Sequence, residues 1–152
     1  AVGLIVMLLL ASSAFGFSFV SYGALFVPFL AVLILFGIAL GILGSALVLR
    51  FGPASEWLVW PIPAFIAPFA AVFYPVSTLP WWMQHLSKLT PPSYVFEGMR
   101  SVVADQPVSW GLLLFSAILA LFYVFGASWI FVRVFQHTVR TGLLARYSAE
   151  SA

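Results

Sequence analysis

The side chains able to move a proton, attack a carbonyl or hold a metal are few: His85, His137, Glu56, Glu97, Asp105 and scattered serines. A hydrolytic serine needs a base within hydrogen-bond reach and a third group to orient that base, and no stretch of this chain sets one up. Cysteine is absent, which excludes a disulfide framework and a thiolate metal site and leaves zinc or haem iron to His85 and His137. His85 and Glu97 would make a proton relay or a weak metal pair if the segments carrying them pack together. The competing reading of His85 is an interfacial ring bonded to water or headgroups. Glu97 and Arg100 stand three apart, the spacing of an ion pair on one helix face. Inside a membrane such a pair lessens the cost of burial and marks a functional site, whereas outside it is a solvated pair. No P-loop pattern occurs, so any nucleotide hydrolysis falls to another chain.

The setting of these few polar groups is extreme. The 152 residues are 64% hydrophobic and 18% aromatic, only 7% are charged, and the mean hydropathy is +1.15, values that point to a bilayer rather than water as the solvent. Six basic residues against four acidic ones give a net charge of +2, too sparse for a nucleic-acid surface. The chain runs from Ala1 straight into GLIVMLLLASSAFGFSFV without a basic lead-in, so it does not read as a signal peptide. The expectation is a carboxy-terminal portion of a longer protein.

Residues 1–49 carry no charge and divide at SYGALFVP, where Tyr22, Gly23 and Pro28 predict a tight turn at about 21–26. Spans are expected at about 2–20 and 26–49, each near the roughly 20 residues needed to cross a hydrocarbon core. In the second, Gly37, Gly41, Gly44 and Ser45 form a small-residue stripe that would admit another helix backbone, or are ordinary content of a membrane helix. Arg50 ends the charge-free run. Pro53 then starts a short interfacial helix with Glu56 in its first turn and Trp57 and Trp60 at headgroup level.

A third span is expected at 61–75, interrupted by Pro61, Pro63 and Pro68 and ended by Pro75. Pro80 restarts the chain, and Trp81 and Trp82 fix the depth of the next short helix, which explains the unusual stretch YPVSTLPWW. Two helices too short to span are predicted at about 79–89 and 93–103, with Thr90 as N-cap and Pro91 at the first helical position of the second. The last span covers 108–132. Arg133, Arg140 and Arg146 follow in the tail 133–152 and place the carboxy terminus and the Arg50 loop in the cytoplasm, with residues 75–107 and the 21–26 turn outside.

The run from RFG and Glu56 through FYPVSTLPWWMQHLSKLTPPSYVFEGMRSVV resembles the carboxy-terminal half of the permease subunits of ABC-2 type exporters, which move polysaccharides, lipo-oligosaccharides and drugs. The resemblance rests on FYPVSTLPWW, on Pro91, Tyr94, Glu97 and Arg100 at intervals of three, and on a final span with a basic tail. It implies spans three to six of a six-span permease in the bacterial cytoplasmic membrane, with the paired short helices capping the pathway outside. Two permease chains, alike or different, would pair, and ATP-binding cassette subunits holding ATP and magnesium would dock below. No catalytic residue, cofactor or metal is implied for this chain itself. The expected fold is therefore all-α: a polytopic membrane bundle of four transmembrane helices plus two short re-entrant or interfacial helices. An integral membrane enzyme, a haem-handling component and a non-transporting scaffold are the rival readings.

Overall fold

The computed structural model describes residues 19–104 and 106–141. Residues 2–18 of the expected span at 2–20, Asp105 and the end of the tail with Arg146 lie outside the described residues. Five α-helices are present among them: α1 (Phe19–Phe51), α2 (Pro61–Ile66), α3 (Trp81–Ser87), α4 (Pro91–Val103) and α5 (Trp110–Arg140), with 3₁₀ turns at Pro53–Leu58 and Val76–Thr78. Only α1, over Phe26–Phe51, and α5 are long and apolar enough to cross a membrane. The expected bundle of four spans plus two short helices is thus corrected to two candidate spans among the described residues.

Two local departures produce this. The turn predicted at 21–26 does not form, because α1 continues through Tyr22, Gly23 and Pro28. A proline in a helix removes one hydrogen bond, and where water is scarce an open turn would free several backbone groups instead. The span expected at 61–75 is a helix only over Pro61–Ile66, after which the chain turns and reaches Ala71 with a φ of 54°. Pro61 and Pro63 sit harmlessly in the first turn, but Pro68 and Pro75 each delete a donor that a longer helix would need.

α1 and α5 pack against each other over most of their length, and they run parallel. Phe29 meets Leu113 in the core, the ring of Phe36 meets that of Tyr123 edge-on at 5.4 Å, and Gly41 to Leu49 share a groove with Phe131 and Phe135. Residue numbers rise together along both helices, so residues 52–109 must return along them. α1 ends on Gly52, whose φ of 91° suits a glycine and whose N–H bonds Val48 O at 2.8 Å. The return limb starts with Val59 against Gly44 and ends with Val72 beside Phe26, positions about 27 Å apart along α1 at 1.5 Å per residue.

α3 and α4 form a hairpin whose tip reaches Tyr123, where the phenol donates to Leu89 O at 3.0 Å. That is about 20 Å along α5 from Trp110. The core lies between α1, α4 and α5 and contains Phe29, Val32, Val95, Val102, Leu113 and Ala120. The rest of the apolar surface is uncovered: only 22% of the most apolar window of α1, and 22% of that of α5, is buried within the fold.

Candidate functional site

The site assembles where α4 and the hairpin tip meet the broken limb at residues 68–76. In a continuing helix, the carbonyl of Ala71 would bond the N–H four residues on, but that residue is Pro75, which has none. Arg100 supplies the donor. Its Nη2 donates to Ala71 O and to Tyr74 O at 2.9 Å, with Val72 O at 3.3 Å. Glu97, one turn earlier on α4, accepts from the backbone N–H of Val76 through Oε1 at 2.7 Å.

Glu97 and Arg100 are also an ion pair, Nη1 to Oε1 at 3.2 Å. Nη1 is buried without hydrogen-bond geometry to any acceptor, so its attraction to Glu97 is through charge alone. The side chains are 32% and 41% exposed for Arg100 and Glu97, so the pair is half-buried. Solvent screening makes the ion pair itself a small term. The charge-assisted bonds to backbone carry more, about 1.5–3 kcal/mol each by general experience with hydrogen bonds to charged groups.

A second set of polar groups holds the limb one turn lower. Ser87 Oγ donates to Phe69 O, and Thr90 Oγ1 donates to Ser87 O at 2.8 Å with Phe69 O at 3.3 Å. Ser93 Oγ faces Ser87 O at 2.7 Å and Thr90 O at 2.8 Å. Thr90 occupies the N-cap position of α4 and Pro91 follows it, as expected, but the hydroxyl makes no capping bond to the helix and turns to the hairpin and the limb. Tyr74 donates its phenol to Pro68 O at 3.1 Å. Tyr94 donates to Lys88 O at 2.9 Å, and burial pushes its phenol above the ordinary 10.0.

The remaining candidates sit elsewhere. His85 is exposed on α3, where Nδ1 lies 2.8 Å from Trp81 O; because a carbonyl only accepts, Nδ1 carries the proton. The structure pairs it with the edge of Trp81 and not with Glu97. His137 lies near the opposite end of the fold, and no group of three or more metal-binding side chains gathers among the described residues. Pro75 and Pro80 hold extended backbone ahead of the Val76–Thr78 turn and α3, and Trp81 and Trp82 project from the fold, 75% and 49% exposed. Arg50 lies at the α5 carboxy-terminal end with its guanidinium 5.8 Å from the Phe51 ring, and Arg133 stacks on Trp129 at 4.9 Å. Glu56 joins Ser45, Trp60, Phe131 and Phe135 around an open groove of about 910 Å³ at that end.

Of the small-residue stripe, only Gly44 makes a close approach: a methyl there would come within 2.9 Å of Val59. Gly37 and Gly41 face open space, and Ser45 bonds back to Gly41 O at 2.9 Å. Sequence reasoning missed a more consequential glycine, Gly98, where a methyl would run into the buried Phe29 ring. It also missed Ala71, Ser87 and Ser93. The signal for Ala71 was available: a proline four residues on leaves a carbonyl that some side chain has to satisfy. No family model matches the chain, and neither a curated protein nor a solved structure matches it.

Proposed function

We propose that this chain is the membrane-embedded part of an ATP-driven export permease of the ABC-2 type, working as a pair of permease chains on separate ATP-binding subunits. Its place would be the bacterial cytoplasmic membrane, with Arg50 and the end of α5 on the cytoplasmic side. The observation that carries the reading is the broken return limb. Two parallel apolar helices leave irregular backbone beside them, and α4 and the hairpin tip supply donors to that backbone from side chains. At membrane depth such backbone is tolerated only where protein satisfies it or water reaches it, the arrangement expected next to a pathway. The exposed aromatic rings suit a polysaccharide, a lipo-oligosaccharide or an amphipathic drug as cargo.

The test is ATP hydrolysis in liposomes holding the full permease and its candidate ATP-binding subunit, with glycans and drugs added. Hydrolysis that cargo stimulates, and that Glu97→Ala or Arg100→Ala uncouples from cargo, is the expected result. Failure of the two proteins to associate, or hydrolysis indifferent to the permease, returns the chain to a scaffold or an enzyme.

A further inference from the structure

We propose that Glu97 and Arg100 act as a latch inserted into one interrupted turn of helix, between the carbonyl of Val72 and the amide of Val76, and that withdrawing α4 lets this turn close. Residues four apart are the partners of an α-helical hydrogen bond. Here both halves of that bond are taken by the ion pair: Val76 N–H goes to Glu97 Oε1 at 2.7 Å, and Val72 O faces Arg100 Nη2 at 3.3 Å. The two side chains are joined to each other at 3.2 Å, so they bridge the gap as a unit.

The break is confined to a short stretch. Helical bonding persists up to Ala70, whose N–H bonds Ile66 O at 2.9 Å, and Ala71 is the next residue. Among the described residues it is the one non-glycine with a positive φ. Returning Ala71 to the right-handed region together with residues 72–75, which takes Pro75 out of its extended ψ of 149°, would let Val76 bond Val72 directly. That closed turn has a defect of its own, since Pro75 offers no N–H to Ala71 O and disfavours helical backbone at Tyr74. α1 carries Pro28 inside a continuous helix, so this fold accepts such a defect. Each arrangement has a local fault and the latch decides between them, which is the condition for a two-state element. The inference is independent of what is exported, and of whether anything is.

The chain has no cysteine, so spin labels can be placed through cysteines at Phe73, 88% exposed on the limb, and at exposed Lys88 on the hairpin. The distance between them is read by pulsed electron spin resonance on the full chain in nanodiscs. One principal distance is expected for the parent. Glu97→Ala or Arg100→Ala should move population to a second distance, changing the ratio by about tenfold, the scale of one hydrogen bond to a charged group. Glu97→Gln keeps an acceptor for Val76 and should keep the parent distance.

Two further variants leave the latch residues in place and report even where the alanine variants fail to fold. Pro75→Ala gives Ala71 O a donor and should favour the second distance. Ala71→Gly relieves the left-handed alanine and should favour the first. An unchanged distance in Pro75→Ala, or in folded Glu97→Ala and Arg100→Ala, overturns the latch.

Discussion

Ala71 is fully buried and holds a left-handed backbone that costs an alanine about 1–2 kcal/mol. Ala71→Gly should therefore raise the stability of the purified chain by about 1 kcal/mol, measured as a denaturation midpoint in detergent. A lower midpoint would mean that the methyl group contributes more packing than the backbone loses. The Glu97–Arg100 ion pair was legible from a spacing of three, and it forms. Its backbone partners were not legible, because they lie 21 to 29 residues earlier in the chain. Helical spacing tells which residues share a face and says nothing about what covers that face.

Among the elements, α4 and α1 touch through Gly98 and Phe29, and this contact separates two kinds of glycine. Gly98→Ala should destabilise the fold by about 1–3 kcal/mol, the usual cost of overpacking a core, because the buried ring has to move. Gly37→Ala and Gly41→Ala meet nothing within the chain and should stabilise α1 by about 0.5–1 kcal/mol each. Thermal unfolding distinguishes the two groups. If Gly37→Ala and Gly41→Ala instead reduce cross-linking between two copies of the chain, the stripe packs against a second copy. The sequence pattern located α3, α4 and the start of α5 to within about two residues because prolines and tryptophans punctuate them, but α5 runs on to Arg140, past the expected end at 132. It misjudged α1 and residues 61–75 because a turn signal is a local preference. Pro28 costs a long apolar helix one bond, while Pro68 and Pro75 together deprive a short one of two.

For the whole molecule, the parallel course of α1 and α5 puts Arg50, Arg133 and Arg140 at one end and the start of α5 at the other. In sealed vesicles, single cysteines at the exposed positions Ala54 and Thr141 should react with an impermeant maleimide from the same side, and one at Gln106 from the opposite side. Labelling of all three from one side would remove the two-span reading. The positive-inside reading expected Arg50 and the basic tail on one side, and which face of a membrane that end meets is what the labelling reads. Neither the pairing of α1 with α5 nor the irregular path of the return limb was legible, since the crossing count assumed a full span at 61–75 and the limb's path depends on the side chains of α3 and α4 that come later in the chain.

Parallel pairing also sets an order in time. Leu113 leaves the ribosome about 80 residues after Phe29, its core neighbour, a delay on the order of 4–16 s at roughly 5–20 residues per second. Throughout that interval the face of α1 that α5 will cover lacks its α5 partner. Lipid or an insertion factor has to shield it, and slower translation of codons 52–109 would lengthen the exposure.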